Sequence, residues 1–140
     1  MSYTTAGNYE YLVKAAGDLN TLADLGRFSP AFSPVFVVGV AACISNDIAA
    51  TGVVKFDKRP TFGSDTGRGD GDVAVLNLTT AHTGGKVVYK LPTPIKIKPG
   101  EEVVAEVTDV TGAGDTADIF LLLSPSAEAP ANLTAMVAST

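Results

Sequence analysis

Short apolar runs separated by turn-forming residues dominate the chain from Val53 onward. Clusters of Gly, Pro and Asp interrupt β-branched segments, a pattern typical of extended strands joined by tight turns. Strand–helix alternation does not occur, so the pattern predicts an all-β fold, an antiparallel β-sandwich of the jelly-roll or immunoglobulin-like kind. The strands that we predict from this pattern are 53–57, 73–80, 86–91, 95–98 and 102–110.

Two turns predict local strand pairing. Thr83-Gly84-Gly85 offers permissive backbone for a hairpin between the strands at 73–80 and 86–91. Pro99-Gly100 turns the chain between 95–98 and 102–110. If those two strands pair antiparallel, the lysines of the first face Glu102 and Glu106, and each pair favours the register by about 0.2–1 kcal/mol. The acids of the second strand are expected to meet solvent.

Two segments, Val35–Ala42 and Ile119–Leu123, are apolar at nearly every position. A continuous apolar run predicts a strand that is covered on both faces. In a sandwich only one face of each sheet is internal, so the other face needs a second cover. Two covers are possible: a loop or terminal arm of the same chain, or another subunit.

The two ends of the chain differ from its centre. Residues 1–34 hold five of the ten aromatic residues, and we predict an N-terminal arm with one short strand at Tyr9–Lys14 and a weak helical turn at Leu19–Leu25. Two Ser-Pro pairs then favour extended backbone. Residues 124–140 are rich in Ala, Pro and Ser and are predicted to form a C-terminal tail. The sequence thus predicts one domain, with an arm at 1–34, a sandwich at 35–123 and a tail at 124–140.

Composition and charge exclude several classes of partner. The chain is 46% hydrophobic and only 18% charged. This composition argues against disorder and indicates that part of the surface is covered by a binding partner. Its net charge is −5 and its ten cations form no dense patch, so nucleic acid is not an expected partner. The longest apolar run, Val35–Ile44, is about half as long as a membrane-spanning helix requires. With no visible secretory signal, we predict a soluble protein made in a cytoplasm.

The sequence gives little support for catalysis, cofactors or metals. His82 is the only histidine, and no nucleophile motif such as Gly-x-Ser-x-Gly accompanies it. Cys43 is the only cysteine, lies in an apolar run and is expected to be a small buried hydrophobe. The Gly- and Asp-rich segment Gly63–Asp72 offers oxygen ligands but lacks the glutamate of an EF-hand, so we expect a surface loop there. We therefore predict that the protein is not an enzyme, has no cofactor or metal site and is not built for a small-molecule ligand, while ion binding by the Gly- and Asp-rich loop stays open.

Two stretches, Gly52–Asp72 and Ile97–Val107, resemble the head cement, or decoration, proteins of tailed bacteriophages, among them the jelly-roll members from short-tailed phages. The Asp-Lys-Arg-Pro motif with the Gly- and Asp-rich loop is the more specific part of this similarity. The resemblance implies a jelly roll that attaches to the outer surface of an assembled head in the virion, after synthesis in the bacterial cytoplasm. It also implies that the protein bridges major capsid subunits and self-associates as a homodimer.

Two other functions remain open at this stage. A phage tail or fibre adaptor would have the same composition, and a carbohydrate-binding sandwich would have the same fold. The second usually stacks sugars on exposed aromatics, whereas this chain has no tryptophan. For protein contact we select the aromatic residues of the arm and the apolar strand near the C-terminus: Tyr3, Tyr9, Tyr11, Phe28, Phe32, Phe120 and Leu122.

Overall fold

The computed structural model describes residues 9–44, 52–60, 72–78, 86–109 and 116–125. These segments contain eight β-strands and no helix, which confirms the predicted all-β class. The strands are β1 (Tyr9–Asp18), β2 (Asp24–Phe28), β3 (Val35–Ile44), β4 (Gly52–Pro60), β5 (Asp72–Leu78), β6 (Lys86–Ile97), β7 (Glu101–Asp109) and β8 (Thr116–Ser124).

The strands form two antiparallel sheets of four strands, and the predicted β-sandwich is confirmed. The first sheet has the order β1-β8-β3-β6 and the second sheet the order β2-β7-β4-β5. The pairing follows one long antiparallel ribbon that doubles back between β4 and β5. Its successive strand pairs are β1/β8, β2/β7, β3/β6 and β4/β5. Because these strand pairs alternate between the sheets, β4 and β5 are, of the eight described strands, the only consecutive two that also pair.

The core lies between the inner faces of the two sheets and follows the two-residue period of each strand. On β8, for example, Ile119, Leu121 and Leu123 point inward. Each fully buried side chain of this size contributes roughly 1.5–3 kcal/mol to stability. The largest core side chains with almost no exposed surface are Phe56, Leu19, Leu78, Ile97, Ile119, Leu121, Leu123, Val37 and Val40.

The predicted hairpin between the strands at 73–80 and 86–91 is wrong. β5 belongs to the second sheet and β6 to the first, so the chain crosses the sandwich between them. The turn residues Thr83–Gly85 lie outside the described segments. The predicted strands at 86–91 and 95–98 form one strand, β6, which continues through Pro92 and Pro94. These prolines lie on an edge strand and at a register shift, where the pairing with β3 passes from Ile95 to Lys90, and both settings tolerate a missing ladder donor.

The turn at Pro99-Gly100 is present, but it does not join paired strands. The backbone N–H of Glu101 donates to the carbonyl of Lys98 over 2.9 Å, and Gly100 adopts a φ of 93°. The chain then leaves β6 in the first sheet and enters β7 in the second. The predicted pairing of lysines with Glu102 and Glu106 is therefore wrong, since these acids face β2 and β4.

The segment predicted as an arm contributes a strand to each sheet. The short strand expected at Tyr9–Lys14 is extended to Asp18 as β1, and β2 follows it. The helical turn predicted for Leu19–Leu25 is wrong. Asp18 accepts hydrogen bonds from the Asn20 N–H (2.8 Å) and the Thr21 hydroxyl (2.9 Å), which fold the chain into a turn before β2 begins.

Candidate protein-binding surfaces

The aromatic residues selected from the N-terminal segment have different environments. Tyr11 is half-buried, and its ring centroid lies 4.7 Å from that of Phe28, which is buried in the core. Both side chains therefore stabilise the sandwich. Tyr9 is the first residue of β1, and the structure describes its backbone but not its side chain. Tyr3 lies outside the described residues. Phe32, in contrast, is 95% exposed.

The apolar strands β3 and β8 bury side chains on both of their faces. Their inward residues join the main core, whereas Val38, Ala41 and Leu122 form a second cluster on the outer face of the first sheet. These three side chains are at most 1% exposed, so they are covered within one chain. Phe120 and Val88 pack against the cluster and remain half-buried. Leu122 is thus not accessible to a partner, whereas part of Phe120 is.

An apolar row crosses the outer face of the first sheet on all four strands. Leu12 pairs with Phe120, which pairs with Ala41, which pairs with Val88. Leu12, on the edge strand β1, is 46% exposed. The solvent side of an antiparallel sheet is usually polar. The accessible part of this row, Leu12 with Phe120 and Val88, is therefore a candidate contact surface.

The outer face of the second sheet carries a network of ion pairs. Arg59 lies within 3.6 Å of carboxylate oxygens of both Asp24 and Asp57 and 3.5 Å from Glu106. Arg27 lies 2.9 Å from Glu102 and 3.4 Å from Asp24. These ion pairs link β2, β4 and β7 across the sheet. We call these six residues the charge network: Asp24, Arg27, Asp57, Arg59, Glu102 and Glu106.

Two residues on the face of β7 that was predicted to meet solvent are buried instead. The Glu102 side chain is only 9% exposed and lies against Arg27. Val104 has no exposed surface, although its register partners Arg27 and Asp57 belong to the outward-facing charge network. Sequence reasoning missed this network, because Arg27 is 75 positions away from Glu102 and was assigned to an arm.

The loop Ser29–Pro34 connects β2 of the second sheet to β3 of the first. The Ser29 hydroxyl donates a 2.6 Å hydrogen bond to the carbonyl of Glu101, and Pro30 is buried. Phe32 projects from this anchored base. A shallow depression beside it is lined by Phe28, Ser29, Pro30, Ala31, Phe32, Ser33 and Val35.

Among the described segments, no group of three or more His, Cys, Asp and Glu side chains is placed to hold a metal ion. His82 and residues 63–71, where a surface loop was expected, lie outside those segments. Cys43 is half-buried on β3 rather than fully buried. The described part of the chain also has no helix that is long and apolar enough to span a membrane.

Among the described residues, the carboxyl group of Asp18 has a clearly shifted pKa. The Asn20 N–H and then the Thr21 hydroxyl donate to Asp18 and lower the pKa of its carboxyl from the ordinary value of 3.8. Asp18 is fully exposed in the turn before β2, where the ionised carboxylate holds the turn. The shift therefore has a local structural cause and does not indicate an acid or base at a reactive site.

Comparison with known proteins gives no family assignment. No protein-family model matches the chain, and no curated protein matches it.

Proposed function

We propose that this protein is a capsid cement, or decoration, protein that binds the outside of an assembled phage head and bridges neighbouring major capsid subunits. The observation that carries the proposal is the apolar row on the outer face of the first sheet. The partner is suggested by the resemblance of Gly52–Asp72 and Ile97–Val107 to cement proteins. The outer surface of the virion is the corresponding location.

We also infer that the sandwich is of the jelly-roll type. The strand orders 1-8-3-6 and 2-7-4-5 support this assignment. This order results when an antiparallel ribbon is wound so that its successive strand pairs alternate between two sheets. Jelly rolls are double sheets of eight strands. This type is also the one that the resemblance to cement proteins implies.

The contrast between the two outer faces supports an orientation on the shell. In the charge network, each cation lies within 3.6 Å of at least one acid, so this face is stable in water without a partner. Four strands of about ten residues cover roughly 600 Å². This area is near the ~800 Å² that a specific interface buries per partner. The first sheet therefore faces the shell in this proposal.

Three of the four edge strands, β1, β2 and β6, contribute little to binding in this proposal. β2 is only five residues long, β6 contains Pro92 and Pro94, and β1 has two register shifts and a positive φ at Ala16. Each of these features disfavours the addition of another strand. Side chains on the face of the first sheet, rather than backbone ladders, make the proposed contact.

A homodimer is a separate prediction that follows from the resemblance. Val38, Ala41 and Leu122, on the outer face of β3 and β8, are covered within one chain and are not available to form it. If the first sheet binds the shell, a dimer needs another surface. Sedimentation of the free protein tests this prediction, and a concentration-independent monomer would contradict it.

Binding to a lattice explains how a small contact stabilises a shell. A ligand that binds the assembled state but not the separated subunits stabilises assembly by mass action. Contacts with two neighbouring subunits also raise the effective concentration of the second contact. The shell consequently resists the outward pressure of packaged DNA.

The proposal is tested by mixing the purified protein with undecorated heads and heating them. We expect saturable binding and rupture at a higher temperature than that of bare heads. Leu12→Lys, in the apolar row, is expected to weaken binding at least tenfold. The matched control is Leu22→Lys, which alters a 65% exposed leucine in the turn before β2 and is expected to bind normally.

Three outcomes would overturn the proposal or part of it. Absence of wild-type binding together with unchanged rupture would exclude a cement function. Immunogold labelling confined to tails would favour a tail or fibre adaptor, and specific glycan binding would favour a carbohydrate-binding module. Equal loss of binding with Leu12→Lys and Leu22→Lys would exclude the first sheet as the specific contact face.

A further inference from the structure

We propose that Phe32 makes a second contact with the shell, by inserting into an apolar pocket of about one phenyl ring on the neighbouring capsid subunit. This inference rests on the proposed cement function and deepens it, because bridging requires two separate contact surfaces. Phe32 is 95% exposed, more than any other large hydrophobic residue in the described segments.

The base of the loop is attached to both sheets. Phe28 ends β2 in the core, with its ring near Tyr11 of β1 in the first sheet. The Ser29 hydroxyl is bonded to the carbonyl of Glu101 at the start of β7, and Pro30 is buried. The Glu101 carboxylate in turn accepts a 2.9 Å hydrogen bond from the backbone N–H of Lys98. The loop thus rests on a hydrogen-bonded turn.

The sequence of the loop restricts its conformation before binding. Pro30 and Pro34 have fixed φ angles, and each restricts the serine that precedes it to extended backbone. A restricted loop loses less entropy when it binds, which favours affinity. Phe32 lies between the two Ser-Pro pairs, with the small residues Ala31 and Ser33 on either side. These neighbours leave room for the rim of a pocket to approach the ring.

Phe32 and the apolar row are too far apart to form one small patch. β3 begins at Val35, and Ala41 in the row lies six residues further along the strand. At about 3.3 Å per residue, the row is about 20 Å from the loop end of the sandwich. A single projecting aromatic ring is complementary to a pocket and not to a flat surface, and such residues often dominate interface energies. A protein subunit with a phenyl-sized pocket is therefore the expected partner.

The test measures equilibrium binding of variants to undecorated heads. Phe32→Ala is expected to weaken binding about 30- to 100-fold, which equals about 2–2.8 kcal/mol at 1.4 kcal/mol per tenfold. Phe32→Leu is expected to retain intermediate affinity because it still fills part of an apolar pocket. Ser33→Ala, in the same loop, is the matched control and is expected to bind within twofold of wild type. Melting temperatures should be unchanged, because Phe32 contributes almost no buried surface.

The outcomes separate this inference from the proposed function. If the wild type binds heads and Phe32→Ala binds equally well, the Phe32 contact is wrong while the cement function stands. If the wild type does not bind heads, the cement function fails, and with it the inference. If Ser33→Ala weakens binding as much as Phe32→Ala, the loop acts through its backbone shape and the phenyl pocket is contradicted.

Discussion

Arg27 and Glu102 form an ion pair across β2 and β7, with 2.9 Å between Nη1 and Oε2. The two partners differ in environment, since the Arg27 side chain is 52% exposed and that of Glu102 only 9%. Arg27 also lies 3.4 Å from Asp24 on its own strand. The pair therefore joins a five-residue edge strand to the sheet and provides a cation for a nearly buried carboxylate.

Removing Arg27 is expected to destabilise the fold more than an ordinary surface change. Arg27→Ala leaves the Glu102 carboxylate without this donor and should lower the free energy of unfolding by about 1–3 kcal/mol. Chemical denaturation measures the change, with Lys96→Ala on the exposed side of β6 as the control, expected within about 0.5 kcal/mol. Adding Glu102→Gln to Arg27→Ala should recover part of the loss. Equal stabilities for Arg27→Ala and the control would contradict this account of the pair.

Gly26 allows the two sheets to approach each other where β1 and β2 meet. A Cβ at this position would collide with the carbonyl oxygen of Val13 and come within 3.1 Å of its Cγ1. Since the nearest atom belongs to the backbone, a side chain cannot simply rotate away. Gly26→Ala is expected to cost about 1–3 kcal/mol of stability, and more if β2 detaches.

Gly100→Ala is the matched comparison for Gly26→Ala. At Gly100 an added Cβ meets nothing within 4 Å, but the φ of 93° is unfavourable for alanine and should cost about 1 kcal/mol. Thermal unfolding should therefore rank Gly100→Ala between wild type and Gly26→Ala. The reverse order would show that the approach of β1 and β2 is looser than described.

The Asp18 turn predicts a specific dependence on pH. Its carboxyl pKa is lowered below 3.8, first by the Asn20 N–H and then by the Thr21 hydroxyl. A lowered folded pKa stabilises the protein above the unfolded value, and this contribution is lost as the pH falls through the folded pKa. We expect carbon-13 NMR to show Asp18 titrating below 3.8, and Thr21→Ala to raise the midpoint. A wild-type midpoint at or above 3.8 would contradict the turn geometry.

The sequence was sufficient to predict most strands but not their partners; β2 was missed, and β6 was predicted as two strands. The alternation in β4, β5 and β7 is local, and each strand was predicted near its observed bounds. A turn such as Pro99-Gly100 has the same local signature whether the next strand pairs with the previous one or crosses to the other sheet. The pairing of β6 with β3, and of β7 with β2 and β4, depends on contacts between distant parts of the chain. Such contacts have no local signature.

For the candidate surfaces, too, the sequence predicted local features but not contacts between distant residues. The exposed Phe32 was selected because aromatic residues are concentrated near the N-terminus, but the same reasoning selected Tyr11 and Phe28, which belong to the core. Only the register reveals the apolar row, because Leu12 and Phe120 are more than a hundred positions apart. The charge network was missed for the same reason.

In the proposed function the first sheet faces a capsid lattice, and a cryo-electron microscopy map of decorated heads would show this orientation. We expect density for the sandwich on the outside of the head, with Leu12 and Phe120 against the shell and Arg59 of the charge network toward solvent. A map with the second sheet against the shell, or with the protein absent from heads that were mixed with it, would contradict the claim.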